Sequence, residues 1–308
     1  MGPGVRIGVI GLVLHPVKPV DKSLETILAF AVGRPLRVLA RDSDRHRVPP
    51  GVEVLPEPRF LREVDGLIAL GGDGTMLGAM RLMVERPVPV LGVNHGNLGF
   101  LVEVSPGELP AVLEKMAAGD FTVEQYGCLE ITTDRTRYAF NDVVVSRPGR
   151  GAVSIDLEVN DLQYGYYRSD AVIVATPTGS TAYNYAAGGP VLSPSSGALV
   201  ITPVAPMSGI GRAVVLGAGD RIALTIADES SAGVIDVDGT AAGELRPGDR
   251  LEATVRADAA QVVRFSAVAH ASRSRIKLSL LDLPLRRDQL LELIPPELRH
   301  RAKEIEDF

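Results

Sequence analysis

Over the first 120 residues, short unbroken apolar runs alternate with stretches whose apolar positions recur every three to four residues. VRIGVIGLVL reads as a strand, and DKSLETILAFAV, with apolar residues at Leu24, Ile27, Leu28 and Ala31, keeps the spacing of a helix. PLRVLA and VDGLIAL then read as strands, TMLGAMRLMVE as a helix, PVPVLGVN as a strand and PGELPAVLEKMAAG as a helix. Runs such as LIAL and VPVLGV, with no polar interruption, are what strands covered on both faces require. Residues 1–120 are therefore expected to form an α/β domain, a parallel sheet flanked by helices.

After Phe121 the period changes to two and turn residues punctuate the chain. SIDLEVNDLQYGYY places Asn160-Asp161 as a two-residue turn between strands. RIALTIA, VIDVDGTAAGEL, DRLEATVRA and QVVRFSAVA continue the pattern, with Asp238-Gly239 and Pro247-Gly248-Asp249 as turns. Residues 121–282 are expected to be a β-rich, mostly antiparallel domain, and the charged tail 283–308 to be helical on both sides of Pro295-Pro296. Two domains suit a chain of 308 residues, because single cores rarely grow past roughly 250 residues.

Composition narrows the partners. With 32 Lys+Arg against 38 Asp+Glu and a net charge of −6, the chain is poorly suited to gripping nucleic acid or an anionic membrane, and neither is expected as a partner. No apolar run reaches the roughly 20 residues of a membrane-spanning helix. The apolar N-terminus, with one arginine, an interrupting Gly8 and no small-residue cleavage pattern, reads as a strand rather than a signal peptide. The single cysteine, Cys128, rules out an internal disulfide and a cysteine metal cage, so a cytoplasmic location is expected. The five histidines, at 15, 46, 95, 270 and 300, show no metal-ligand spacing, and no protein metal site is expected.

The chemistry concentrates first in DGLIALGGDGTMLGAM. A strand that ends in glycines and passes into a helix presents backbone N–H groups and a positive helix end where α/β proteins bind phosphates. The glycines at 71, 72, 74 and 78 fit neither GxxxxGK[ST] nor GxGxxG. The turn carries Asp73 where a lysine is usual, and taken alone that aspartate reads equally well as a simple cap. Beside phosphate, however, a carboxylate is repelled unless a metal ion or a reacting hydroxyl lies between, which points to phosphoryl transfer.

Three further stretches are polar at strand ends. VIVATPTGSTAYNYAAGGP offers hydroxyls and N–H groups to phosphate, ribose or adenine edges and the Tyr183 ring for stacking; taken alone it reads slightly better as an ordinary helix capped by Ser180 or Thr181. FNDVVVSR sets Asn141 and Asp142 before a short strand, a pair suited to a ribose diol and equally routine in a turn. LGVNHGNLGFL ends a strand in polar and glycine residues and presents Phe100. GSTAY is not the GxSxG elbow, and GVIGLVL does not supply the early GxGxxG of a dehydrogenase.

Taken together, GGDGT at 71–75, LGVNHGNLGFL at 91–101, the Asn-Asp pair of FNDVVV and SDAVIVATPTGSTAYNYAAGGPVLSP at 169–194 resemble the NAD kinase family over roughly residues 5 to 245. GGDGT alone is shared with the wider diacylglycerol kinase-like superfamily; the long TPTGSTAY block is more specific. The resemblance implies a Rossmann-like α/β domain, a β-rich NAD-binding domain, a cleft between them for NAD and ATP, and a tail packing back on the first domain. It implies transfer of the γ-phosphate of ATP to the adenosine 2′-hydroxyl of NAD, with Asp73 as general base, Mg²⁺ or another divalent cation, and a homodimer or homotetramer. Carried over by position, Gly71, Gly72, Gly74 and Thr75 match the phosphate loop. Asp73, Gly74, Phe100, Asn141, Asp142, Arg168, Asp170, Thr181, Ala182, Tyr183, Ala186 and, more weakly, Thr240 match residues that contact NAD, Asp170 reaching a ligand held by a neighbouring subunit. The pair here ends in aspartate where glutamate is commoner, which bears on substrate choice. The alternative is a divergent family member that phosphorylates another nucleoside-like alcohol; a lipid kinase or a non-enzymatic nucleotide sensor fits less well, since TPTGSTAY points to adenosine and Asp73 is retained.

Overall fold

The computed structural model describes residues 7–96, 101–102 and 104–265. The tail 283–308, together with Asn97 and Phe100, lies outside the described residues. Contacts group the chain into two compact units that no single cut separates. Of the described residues, the first comprises 7–76, 89–96, 101–102, 104–124 and 262–265; the second comprises Leu77–Val88 and Gln125–Gln261.

The first unit alternates strands and helices: β1 (Val9–Leu14), α1 (Asp21–Ala31), β2 (Arg37–Arg41), β3 (Glu53–Leu55), α2 (Glu57–Glu63), β4 (Gly66–Gly71), α3 (Asp73–Leu82), β5 (Pro89–Asn94) and α4 (Leu109–Ala118). The strands run parallel in the order β3-β2-β1-β4-β5. The chain therefore winds outward from β1 through β2 to β3, then returns to the other side of β1 for β4 and β5. This reversal opens a crevice at the carboxyl ends of β1 and β4, the position where open α/β sheets hold ligands. All six residues of β4 are buried, as its uninterrupted apolar run predicts. One core gathers Ile10, Leu12, Ile68, Leu70, Leu91 and Val93 from the sheet with Leu24, Ile27, Leu109 and Leu113 from the helices.

Two differences from expectation matter. Helix α3 begins at Asp73 and not at Thr75, so the acidic residue belongs to the first helical turn, where its charge is stabilised by the helix dipole. Strand β3, helix α2 and a 3₁₀ turn at Asp42–Arg47 lie in a stretch whose short, Pro- and Arg-rich segments carry no clear period.

The second unit is antiparallel β, as expected: β6 (Thr122–Thr132), β7 (Thr136–Ala139), β8 (Asp142–Ser146), β9 (Val153–Val159), β10 (Leu162–Ser169), β11 (Ala171–Ala175), the short helix α5 (Tyr183–Ala186), β12 (Ala198–Val204), β13 (Ser208–Gly209), β14 (Val214–Gly217), β15 (Ile222–Ile226), β16 (Gly233–Val237), β17 (Thr240–Leu245) and β18 (Arg250–Arg264). The first strand and the last extend into residues grouped with the first unit. One sheet has the order β14-β12-β11-β8-β16-β17; opposite it pack β10, β9, β15 and β18. Val143, Val145, Val172 and Val174 of the first sheet and Ile155, Leu157, Ile222 and Leu224 of the second share one core. A smaller cluster of Val144, Ile173 and Val200 covers the opposite face of the six-stranded sheet. Burial on both faces accounts for the unbroken AVIVA run of β11.

The turn between β9 and β10 is Asn160-Asp161, both with positive φ (52° and 65°), which matches the twist of a tight hairpin. Asp238-Gly239 (45° and 72°) plays the same part between β16 and β17. Cys128 is buried in this unit, and burial pushes its thiol up to about 12.

Candidate functional site

In the first unit the glycine turn closes β4 and starts α3. A Cβ on Gly71 would stand 2.6 Å from the Cβ of Thr75 and 3.1 Å from that of His15, so only glycine allows the next helical turn to fold down onto the strand end. The Asp73 carboxylate is fixed from outside its helix. Its Oδ1 accepts hydrogen bonds from the N–H groups of Leu101 (3.0 Å) and Val102 (3.3 Å). Leu101 is itself held, because the buried Arg264 guanidinium donates to its carbonyl at 2.9 Å while pairing with Glu124 at 2.7 Å. Thr75 is 8% exposed, and its Oγ1 is buried without a hydrogen-bond partner among the described residues, a costly arrangement unless a ligand supplies one.

In the second unit Asn141, Asp142, Val144, Ala182, Tyr183, Asp236, Asp238 and Gly239 line a cavity of about 430 Å³. Asn141 and Asp142 open β8, and the TPTGSTAY turn is packed directly onto them. A Cβ on Gly179 would fall on the Asn141 carbonyl. The Thr176 N–H donates to the same carbonyl at 2.9 Å, and its hydroxyl donates to the Phe140 carbonyl at 2.6 Å while accepting from the Gly179 N–H at 3.0 Å.

The hydroxyls of this turn serve the fold more than their exposure to a ligand would suggest. Ser180 donates to the Pro177 carbonyl at 2.6 Å and accepts from the Leu192 N–H at 2.9 Å; Thr181 donates to the Thr178 carbonyl at 3.1 Å. Neither caps a helix: the residue preceding α5 is Ala182, and no side chain caps it. The cap expected for Ser180 or Thr181 is overturned because nearby carbonyls capture both hydroxyls first. The buried Asn184 completes the framework, donating to the Ser180 and Pro190 carbonyls and accepting from Thr202 at 2.6 Å.

The acidic residue of the hairpin turn, Asp238, organises the cavity floor. Its side chain is fully buried, accepts from the consecutive N–H groups of Phe140 (3.1 Å), Asn141 (2.7 Å) and Asp142 (3.2 Å), and pairs with Arg81 at 2.8 Å. Asp142, 4% exposed, sits beside this anion. Burial first and the Asp238 charge second raise its carboxyl to about 7. A carboxyl poised near neutrality donates or accepts a hydrogen bond according to what approaches.

Of the positions carried over from the sequence, Asn141, Asp142, Ala182 and Tyr183 line one cavity, and Tyr183 is 45% exposed. Gly71 to Thr75 form the turn of the first unit. Thr240 is exposed at the start of β17, Ala186 is exposed at the end of α5, and Arg168 is exposed on β10; none of the three lines the cavity. Asp170 accepts from Arg147 at 2.7 Å within the same chain. Asp238, Arg81, Thr176, Asn184 and Arg264 hold the framework, a role no motif in the sequence marks: Asp238 reads there only as a turn residue, and Thr176 and Asn184 only as part of the TPTGSTAY stretch. Among the described residues no group of three His, Cys, Asp or Glu side chains is placed to hold a metal ion, and no helix is long and apolar enough to cross a membrane.

Comparison with known proteins agrees on one family. Residues 19–121 match the profile of the ATP-NAD kinase N-terminal domain, and residues 140–265 that of the ATP-NAD kinase C-terminal domain. An NAD kinase of Symbiobacterium thermophilum is 38% identical over 231 residues, covering 73% of this chain and 82% of the relative. One from Heliobacterium modesticaldum is 33% identical over 274 residues, covering 83% and 93%. Among solved structures, yeast NADH kinase complexed with NADH superimposes with a TM-score of 0.82 at 22% identity, covering 92% of this chain and 90% of that one. An Archaeoglobus fulgidus NAD kinase in complex with ATP gives 0.65 at 23% identity, covering 89% and 98%. With both domain profiles matched in order and relatives this similar over most of their length, the chain belongs to the NAD kinase family.

Proposed function

We propose that the chain is an ATP-dependent NAD kinase that moves the γ-phosphoryl group of ATP to the adenosine 2′-hydroxyl of NAD, giving NADP and ADP. The observation that carries this reading is the placement of Asp73: first residue of a helix at the carboxyl edge of a parallel sheet, its Oδ1 clamped by two backbone N–H groups. Family membership supplies the substrates. A carboxylate so fixed cannot swing away when phosphate approaches, and held against the acceptor hydroxyl it is placed to take its proton.

In this mechanism the 2′-oxygen forms its bond to the γ-phosphorus as the bond to the β,γ-bridging oxygen breaks. The hydroxyl proton passes to Asp73 and ADP leaves with the bridging oxygen. Proton removal comes late in a loose transition state, so positioning and charge neutralisation carry most of the acceleration. The backbone N–H groups of the Gly71–Thr75 turn and the amino end of α3 provide fixed partial positive charge toward the phosphates. Asn141, Asp142 and Tyr183 would hold the dinucleotide, the ring by stacking and the polar pair by hydrogen bonds to ribose or base edges. A divalent cation enters this reading as part of the nucleotide substrate, where it would neutralise phosphate charge beside the Gly71–Thr75 turn.

The oligomer proposed is a homodimer or homotetramer, with Asp170 near a subunit boundary; light scattering of the purified chain tests it. The activity is tested by incubating the chain with ATP, Mg²⁺ and NAD and reading NADP with an NADP-specific dehydrogenase. Absence of NADP, with phosphate transferred instead to a free nucleoside, would refute the choice of acceptor.

A further inference from the structure

The glycine turn lacks the lysine that phosphate-binding turns commonly carry, yet a lysine reaches the same place from another loop. Strands β1 and β5 flank β4 in the sheet, and the loops that leave them are pinned to its last residues. The His15 N–H donates to the Leu70 carbonyl and the His95 N–H to the Gly71 carbonyl, both at 2.9 Å.

The loop after β1 then closes on its own imidazole. His15 Nδ1 accepts from the N–H groups of Val17 (3.1 Å) and Lys18 (3.0 Å), and Arg47 holds the Lys18 carbonyl at 3.2 Å. With its backbone fixed in this way, Lys18 extends until its ammonium rests against Gly96, in the loop after β5, where a side chain on that glycine would otherwise lie. Because β4 stands between β1 and β5, a side chain that joins their two loops crosses the carboxyl end of β4, beside the Gly71–Thr75 turn.

Three observations give this crossing a ligand. The Thr75 Oγ1, nine-tenths buried over Gly71, has no partner among the described residues. No carboxylate pairs with the Lys18 ammonium among the described residues, although the chain pairs many of its arginines. The local field is positive: burial, then the charge of Lys18, holds the His95 imidazole below its ordinary range, and His95 Nε2 is 3.0 Å from Ser23 Oγ. With Nδ1 occupied as an acceptor, a neutral His15 carries its proton on Nε2, which becomes a donor.

We propose that Lys18, assisted by His15 Nε2–H and the Thr75 hydroxyl, binds the polyphosphate of the phosphoryl donor. This inference rests on the kinase reading for the identity of the donor but not for its anion chemistry. Lys18 thus stands in for the absent lysine of the glycine turn: a mobile point charge from the other loop of the switch point, able to follow phosphate oxygens as negative charge shifts toward the leaving group.

The test combines titration calorimetry of the full chain with inorganic tripolyphosphate and steady-state kinetics, on wild type, Lys18→Met and Lys18→Arg. Loss of a charge-assisted contact to phosphate should weaken tripolyphosphate binding and raise KM for ATP by about tenfold or more. KM for NAD should stay within about twofold, and Lys18→Arg should recover most of the loss. Unchanged tripolyphosphate affinity in Lys18→Met, no uptake by wild type, or a parallel rise in KM for NAD would each overturn the proposal. Lys18-dependent uptake by a chain that makes no NADP would uphold this inference while removing the NAD kinase reading. NADP formation with Lys18→Met identical to wild type in both assays would do the reverse.

Discussion

The Arg81 guanidinium and the Asp238 carboxylate meet at 2.8 Å, with the aspartate side chain fully buried and the arginine 30% exposed. The same carboxylate fastens three consecutive N–H groups at the entry to β8, so the pair fixes the backbone of Asn141 and Asp142. Removing one partner of a buried pair leaves the other charge uncompensated. Arg81→Ala should cost about 2–4 kcal/mol in urea unfolding, the lower part of the range reflecting the arginine's solvent access. Asp238→Ala, which also orphans the three donors, should cost more and abolish dinucleotide binding. A variant pair as stable as wild type would show that the floor of the cavity is held by something else.

Asp73 has two separable duties, anchoring Leu101 and Val102 and taking a proton. An asparagine oxygen can still accept from both N–H groups, so Asp73→Asn isolates the second. Turnover should fall by about 10²–10⁴-fold, with NAD affinity within a few-fold. Asp73→Ala should additionally loosen the 101–102 segment and weaken NAD binding. Equal turnover in wild type and Asp73→Asn, measured by NADP formation at saturating substrates, would remove the carboxylate from the chemistry.

The raised carboxyl of Asp142 makes a signed prediction. Its value of about 7 in the fold exceeds the roughly 3.9 of an unfolded aspartate, so between those limits the native state holds the proton that the unfolded chain has lost. Stability contributed at this site is therefore full below about pH 4 and falls as pH rises toward 7, after which the loss is constant. Asp142→Asn, which never ionises, should be more stable than wild type at pH 8, by roughly 1–3 kcal/mol, and no different at pH 4. Thermal melts of both proteins across this range decide it; a gap that does not change with pH would exclude the ionisation as its source.

Gly179 has no room for a methyl group, since an added Cβ would overlap the Asn141 carbonyl far inside van der Waals contact. Gly179→Ala should cost about 2–3 kcal/mol and displace the TPTGSTAY turn from Asn141. Its expected signature is a lowered melting temperature together with weakened NAD binding, read by fluorescence or calorimetry. Gly74→Ala, where a Cβ meets nothing within 4 Å, should leave the melting temperature nearly unchanged.

The sequence was most readable where a single physical rule decided the outcome. Strands β4 and β11 are buried on both faces and announce themselves as apolar runs; Asn160-Asp161 needs positive φ twice, and few residues supply it. The glycine turn and the Asn-Asp pair were found for the same reason, as polar groups at strand ends. What stayed hidden depends on residues far apart in the chain. An Asp-Gly turn reads identically whether its carboxylate faces water or folds over N–H groups 96 to 98 positions away, as Asp238 does. Arg264 holds Leu101 across 163 positions. Lys18 showed no motif because its partner loop lies two strands away. The hydroxyls of Ser180 and Thr181 looked available, but carbonyls three residues back compete for them with almost no entropy cost.

The lone thiol, buried in the second unit and pushed up to about 12, holds almost no thiolate at neutral pH and should be slow toward maleimides and iodoacetamide in the folded chain. A cysteine introduced at an exposed position, Val32 or Leu162 for instance, would be the sole site of alkylation without any need to remove the native one. The chain is thereby ready for a single dye or spin label in either compact unit, reporting on that unit's own surface as nucleotides are added.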